Sequence, residues 1–163
     1  MAVTRRPDTI RLGPWHEWAV YLATGVLVLT GVIWLVLHYF FTGKGEFGPT
    51  IHPLENWMLR LHGAGAMAGL IVYGSLLPVH IRRAWAVRRN VVLGVGLVAL
   101  MLLLTVTGYL LYYAGGEETR PVISVLHWVI GLAVPALLVW HIVSGRVLTR
   151  AADAPFQKVE NHA

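Results

Sequence analysis

The sequence predicts an all-α integral membrane protein, a four-helix bundle, and three observations carry this prediction. The 163 residues are 56% hydrophobic and only 13% charged. Four stretches contain no Asp, Glu, Lys or Arg, and each is long enough for a helix to cross a hydrocarbon core roughly 30 Å thick. None of them alternates apolar and polar residues as a barrel strand would, and only helices and closed barrels cross lipid.

The four predicted helices lie in a single domain of residues 1–163. They are expected at about residues 15–41, 57–85, 91–113 and 122–148. The first follows three arginines but has no small-residue cleavage site, so it is predicted to be a retained span rather than a signal peptide. The loop "TGKGEFGPTIHPLEN" carries three Gly and two Pro and is expected to be irregular. The segment 151–163 is expected to be a loose polar tail.

The basic residues predict that both termini lie in the cytoplasm. Ten of the thirteen Lys and Arg residues fall on the side of the termini and of the loop between the second and third helices. They are Arg5, Arg6, Arg11, Arg82, Arg83, Arg88, Arg89, Arg146, Arg150 and Lys158, against Lys44, Arg60 and Arg120 on the other side. This asymmetry is the positive-inside pattern, it explains the net charge of +5, and it argues against binding of nucleic acid.

The chain contains no cysteine. Disulfides, cysteine-ligated iron–sulfur clusters and covalently attached c-type haem are therefore excluded. A redox cofactor in this chain would have to be held by histidine or methionine.

Six of the eight histidines lie in or at the ends of predicted helices, where an ionisable residue is a functional candidate. They are His16, His38, His62, His80, His127 and His141. His127 and His141 are fourteen residues apart, which at 100° per residue is 40° short of four turns. They share one face of the fourth helix and lie roughly 21 Å apart along its axis. This is the spacing needed to hold two stacked haems, one ligand each.

Each haem iron needs a second ligand at the same depth. Distance from the flanking arginines pairs His62 with His127 at the outer site, and His16 with His141 at the inner site. A lone transmembrane histidine is more often a hydrogen-bonded packing residue, but matched pairs favour bis-histidine haem. A zinc site is disfavoured because the two histidines of the fourth helix cannot share one ion.

Small residues lie one turn from these histidines. Gly131 follows His127, and Gly65 follows His62. As a set they are interpreted as clearance for porphyrin. The alternative for any single glycine is close approach of two helices, since Gly65 and Gly69 form a G-x-x-x-G.

Three stretches resemble the prokaryotic cytochrome b561 superfamily: "WHEWAVYLATGVLVLTG", "RLHGAGA" and "SVLHWVIGLAVPALLVWHIVSGR". That family includes the b-type membrane subunits of formate dehydrogenases and nickel–iron hydrogenases, and a stand-alone b561. The resemblance implies a bacterial inner-membrane protein with two haems b. It implies His16 and His141 as ligands of the inner haem, and His62 and His127 as ligands of the outer haem.

The chain also departs from that family. It is compact, and His38 and His80 are extra. His80 lies eighteen residues after His62, five full α-helical turns, so it is the alternative inner ligand or a member of a quinone pocket, where imidazole exchanges protons near neutral pH. Arg60 is a candidate partner for a haem propionate. His52 is expected in the outer loop with Glu46 and Glu55.

The function predicted from these residues is electron transfer across the membrane, between a periplasmic redox partner and the quinone pool. One alternative is a stand-alone oxidoreductase that passes electrons from superoxide to quinone. A further alternative is a non-redox histidine-bearing transporter or scaffold.

Overall fold

A computed structural model describes residues 12–45, 48–88, 90–113 and 116–160, and their side chains except at 44, 48, 49, 79 and 152–160. Several residues of the sequence prediction lie outside this description. They are Arg5, Arg6, Arg11, Glu46, Arg89, His162 and the side chain of Lys158. The described chain is helical apart from one small β-hairpin.

The first helix, α1, spans Pro14–Phe40 and agrees with the predicted helix at 15–41. Pro14 stands at its first turn, where the missing N–H group costs nothing. After α1, strand β1 (Gly43–Gly45) pairs antiparallel with β2 (Gly48–Thr50). The loop that was expected to be irregular therefore contains a short hairpin.

Helix α2 spans Pro53–Ser75 and begins four residues before the predicted start. Its N-cap is His52, whose Nδ1 accepts a hydrogen bond of 3.2 Å from the backbone N–H of Leu54. Pro53 at the first helical position is favourable there, although in the sequence it indicated a loop. As a result Glu55 is a residue of α2, not of the outer loop.

The second predicted helix is interrupted near its end. A π-helical segment, Leu77–Ile81, separates α2 from the short helix α3, Arg82–Val87. Pro78 has no N–H group and its ring disturbs the preceding turn, and Ile81 donates its N–H to Leu76 O, five residues back, at 3.1 Å. The alignment of His80 with His62 assumed an unbroken α-helix, so that argument does not hold across the π segment.

Helix α4 spans Val91–Tyr113, as predicted. Helix α5 spans Arg120–Glu160, twelve residues beyond the predicted end at Leu148. The segment from Ala151, expected to be loose, is helical as far as Glu160, although it contains Pro155, which disfavours a helix interior.

Three helices in the described residues are long and apolar enough to cross a membrane: Pro14–Phe40, Val91–Tyr113 and Arg120–Ala151. Their outward surfaces are apolar, with Val92 86% exposed and Leu102 65% exposed, as in helices that face lipid. The second predicted span does not meet this criterion of length and apolar composition. Helix α2 carries Glu55, Arg60 and four glycines, which lower its hydropathy, and its continuous α-helix ends at Ser75.

The chain divides after Val87 into two compact units. In the first, α1 packs against α2; in the second, α4 packs against α5. Among the residues whose side chains the structure describes, three buried ones are polar, namely Thr30, Glu55 and Thr107. The single domain predicted from the sequence stays a prediction, and each unit is described by itself below.

Candidate functional site

In the first unit, His62 of α2 contacts a buried threonine of α1. Its Nδ1 lies 3.0 Å from Oγ1 of Thr30, which is only 6% exposed. The Thr30 hydroxyl also donates to the carbonyl oxygen of Val26 at 2.7 Å, within its own helix. One hydroxyl therefore connects the α1 backbone to the imidazole of α2.

These contacts define where the imidazole proton lies. A threonine hydroxyl has a single hydrogen, and that of Thr30 is directed to a backbone carbonyl. With that hydrogen on a carbonyl, the oxygen accepts from His62, an arrangement that favours the tautomer with the proton on Nδ1. In a neutral ring this leaves the electron pair on Nε2, the nitrogen with which histidine commonly binds a metal.

The second unit repeats this arrangement. Nδ1 of His127 lies 2.8 Å from Oγ1 of Thr107, which is 3% exposed. The Thr107 hydroxyl donates to the carbonyl oxygen of Leu103 at 2.8 Å. By the same count of hydrogens, the neutral His127 ring carries its proton on Nδ1 and its electron pair on Nε2.

Glycines lie against the edges of three histidine rings. A Cβ added at Gly31 would be 3.4 Å from Cε1 of His62, and one at Gly108 would be 3.4 Å from Cε1 of His127. At Gly94 the corresponding distance to Cε1 of His141 is 3.5 Å. The absence of side chains at these positions lets each ring lie flush with the neighbouring helix.

The two glycine–histidine contacts of the second unit are separated by the same number of residues on both helices. Gly94 and Gly108 are fourteen residues apart on α4, as are His127 and His141 on α5. Because the two helices run antiparallel, equal spacings bring both glycines opposite both histidines.

His141 has a different polar partner. The side-chain nitrogen of Asn90 lies 3.0 Å from the His141 carbonyl oxygen and 3.2 Å from its Nδ1. An amide nitrogen only donates, so Nδ1 accepts and a neutral ring carries its proton on Nε2. This is the opposite tautomer to that of His127, and iron binding through Nε2 requires the Asn90 amide to turn. Asn90 has a φ of 52°, a left-handed conformation that asparagine tolerates.

The other predicted site residues of the first unit are His16, Arg60 and His80. His16 lies exposed in the first turn of α1. The Arg60 guanidinium lies 5.4 Å from the centre of the Trp57 ring, a cation–π contact. His80 lies in the π segment, and its backbone N–H bonds to Leu76 O at 2.9 Å.

The two predicted clearance glycines face helices. A Cβ at Gly65 would be 3.1 Å from Cγ1 of Val26 on α1, and one at Gly131 would be 3.9 Å from Cδ2 of Leu104 on α4. At both positions the neighbouring space is occupied by the partner helix of the same unit. This supports the helix-approach interpretation of these two glycines.

The residues of each predicted ligand pair belong to different units, so the pairing stays a prediction. His16 and His62 lie in the first unit, and His127 and His141 in the second. Within the ranges that the structure describes, no group of three or more His, Cys, Asp or Glu side chains could hold a bare metal ion. A macrocyclic iron needs only two protein ligands. The threonine contacts of His62 and His127 suit that role, whereas His141 fits it once the Asn90 side chain, which also donates to the His141 carbonyl oxygen, is rearranged.

Sequence reasoning missed the partners of these histidines: Thr30, Thr107, Asn90 and the three glycines. Two signals could have found most of them. The dipeptide Thr-Gly occurs at 24–25, 30–31, 42–43 and 107–108, and the copies at 30–31 and 107–108, which lie within predicted helices at the depth of a histidine, each contact one. The fourteen-residue spacing of Gly94 and Gly108 repeats that of the histidines.

In comparisons with known proteins, no protein-family model, no curated protein and no solved structure matches this chain.

Proposed function

We propose that the chain is a di-haem b-type cytochrome that carries electrons across a bacterial inner membrane, between a periplasmic redox partner and the quinone pool. The observation that carries this proposal is the repeated threonine–histidine contact. His62 in the first unit and His127 in the second each contact a buried threonine hydroxyl, and this contact favours the tautomer that offers Nε2 to a metal. Both lie in a chain whose long helices are apolar enough for a membrane.

Under this proposal the outer haem is held by His62 and His127. Thr30 and Thr107 orient the two imidazoles and increase their basicity by accepting from Nδ1. Arg60, two residues before His62, is the candidate partner for a propionate. When bound, the haem supplies a one-electron iron couple, and two protein ligands leave it no open position for a substrate.

The inner haem is held by His141 and His16, with His80 as the alternative to His16. The fourteen-residue spacing on α5 supports a second site at a different depth, roughly 21 Å along the axis. The proposal gives the Asn90 amide a role at this site, because its orientation determines which tautomer His141 adopts.

The proposal also requires α2 with its π continuation to be a fourth span. The charge-free stretch from Leu61 to Ile81 has 21 residues, which is sufficient in length. Close packing of α2 on α1 through Gly65 and Gly69 supports a buried position for its less apolar face. The distribution of Lys and Arg supports cytoplasmic termini.

The test is a reduced-minus-oxidised spectrum with haem quantification on the full chain purified in detergent. We expect two haems b per chain. Replacement of His62 or His127 with Ala should remove the outer haem, and replacement of His16 or His141 the inner one. His80→Ala should leave both haems if His16 is the ligand.

His52→Ala is the matched control, because His52 caps α2 and has no place in either pair. It should retain both haems. One haem per chain would contradict the proposed path across the membrane, and a colourless protein would contradict the proposal and favour the non-redox alternative. Reduction of quinone by superoxide with the purified chain alone would identify the stand-alone oxidoreductase, whereas co-purification with a metalloenzyme would identify a subunit.

A further inference from the structure

A buried acid lies where α1 ends and α2 begins. Glu55 is 3% exposed, and its Oε2 accepts a hydrogen bond of 3.2 Å from Nδ1 of His38. Its second oxygen, Oε1, is buried and has no hydrogen-bond partner among the described residues. A carboxylate in this position has unused capacity to accept a hydrogen bond.

An unused donor lies beside the same histidine. Trp34, one helical turn before His38 on α1, stacks on the imidazole with ring centres 4.5 Å apart and planes 13° apart. The indole Nε1 of Trp34 is also buried, and no described residue accepts its hydrogen. One imidazole is thus flanked by a buried donor and a buried acceptor, both with unmet hydrogen bonds.

Such groups call for a ligand or a water, since buried polar atoms in folded proteins almost always have partners. Only one other buried side-chain atom in the described residues lacks a partner, Nε1 of Trp128 in the second unit. The cluster of Trp34, His38 and Glu55, here called the α1–α2 acid cluster, is therefore unusual in combining a donor with an acceptor.

The hydrogen-bonding character of the cluster selects the ligand. A hydroxyl group has both capacities that the cluster leaves unmet, since it can accept, as the Trp34 N–H requires, and donate, as Oε1 of Glu55 requires. An anion would be repelled by the Glu55 carboxylate, and a cation would gain nothing from an N–H donor. A neutral hydroxyl is the ligand that fits.

The surroundings of the cluster favour a hydroxyl group that belongs to an apolar molecule. Phe40 is 80% exposed, Phe41 60% and Trp57 58%, all near this end of the two helices. The His38 side chain is 46% exposed, so the imidazole that contacts both Trp34 and Glu55 borders this apolar surface. A lipid-soluble ring bearing a hydroxyl group matches both features.

We propose that the α1–α2 acid cluster binds a hydroxyl of a quinol. This inference rests on the proposed function, which supplies the redox reason for a quinol. It assigns the quinol to the end of the first unit near His62, whereas the sequence indicated the opposite end, beside His80. Glu55 and His62 are seven residues apart on α2, about two turns or 10 Å along one face. That separation is short enough for electron exchange with a haem on His62.

The test measures binding rather than turnover. A short-tailed benzoquinol is titrated, under anaerobic reducing conditions, into the full chain in detergent, and the dissociation constant is measured by calorimetry. Trp34→Phe keeps the aromatic stack on His38 but removes the N–H donor, and should weaken binding about tenfold. Trp128→Phe, which removes the other unpartnered indole N–H, should leave binding unchanged.

A second probe isolates the Glu55 contact. The dimethyl ether of the same benzoquinol has no hydroxyl hydrogen to donate. It should bind the unmodified chain about tenfold more weakly than the quinol, and this difference should vanish in Glu55→Leu, which removes the acceptor. Glu55→Gln keeps an amide oxygen that accepts and should retain part of the difference. Trp34→Phe keeps the test decisive if Glu55→Leu fails to fold.

Equal affinity for quinol and ether in the unmodified chain, or unchanged binding in Trp34→Phe, would overturn the inference and assign the two groups to a bound water. Haem content is measured on the same samples. An unmodified chain that contains no haem would contradict the proposed function. The quinol affinities would still show whether the α1–α2 acid cluster binds a quinol.

Discussion

Gly108 of α4 lies against His127 of α5, with the position of an added Cβ 3.4 Å from Cε1 of the imidazole. This contact and the 2.8 Å hydrogen bond from Nδ1 to Thr107 come from adjacent residues of one helix. Together they fix the ring from two sides, by shape and by hydrogen bonding. His62 is held in the same way by Thr30 and Gly31.

Gly108→Val should displace the His127 ring, because the Cβ would already be in contact and the two methyl groups have no space on that side. We expect haem affinity at the outer site to fall about tenfold or more, measured by haem titration of the apoprotein. Gly96→Val on the same helix is the control, since nothing lies within 4 Å of an added Cβ there. Equal losses of haem affinity in both variants would show that the substitutions disturb helix α4 as a whole rather than the His127 ring.

Thr107→Val should raise the midpoint potential of the outer haem. Loss of the acceptor for the Nδ1 proton makes the imidazole a poorer electron donor and so disfavours the ferric state. A hydrogen bond of about 0.5–1.5 kcal/mol corresponds to a shift of roughly 20–60 mV for a one-electron couple, measurable by redox titration.

Thr107→Ser should restore the potential, because serine keeps the hydroxyl. Thr105→Val is the control, since the Thr105 hydroxyl bonds only to its own helix, at Met101 O. A potential that is unchanged in Thr107→Val would remove the threonine from the haem site.

The helices that could be predicted best are those whose ends are marked by local chemistry. Helix α4 begins at the expected residue because two arginines and Asn90 directly precede a long run without charged residues. Helix α2 was placed less well. The sequence predicts Pro53 and Glu55 in a loop, but proline is accommodated in the first turn of a helix and Glu55 is stabilised there by His38. The π segment depends on how one turn adjusts to Pro78, which periodicity does not reveal.

The histidines could be found from the sequence, whereas their partners could not. The spacing of His127 and His141 is a property of one helix, so it can be read along the chain. The contact of His62 with Thr30 depends on the relative rotation and offset of two helices, which packing determines. For the same reason Gly65 was interpreted as haem clearance, while the structure places Val26 beside it.

Asn90→Asp should lower the potential of the inner haem and strengthen its binding. A carboxylate that turns away from the His141 carbonyl oxygen accepts from Nδ1–H and stabilises the tautomer that frees Nε2, whereas the amide of Asn90 donates both to that oxygen and to Nδ1. Redox titration and haem titration measure the two effects. Asn90→Gly is the control for the backbone, since glycine adopts a φ of 52° readily and has no side chain. If Asp and Gly variants behave alike, the amide has no influence on His141.

The absence of cysteine from the chain allows a direct test of the fourth span and of orientation. Single cysteines are introduced at four exposed positions, Thr42, Val87, Thr119 and Ala151, and intact cells are treated with a membrane-impermeant maleimide. Because Lys and Arg are concentrated on the side of Val87 and Ala151, we expect labelling from outside only at Thr42 and Thr119. The other two should react only after the cells are permeabilised, which serves as the control for reactivity. Labelling of Thr42→Cys and Val87→Cys from the same side would mean that the segment between them, with its π interruption, does not cross the membrane.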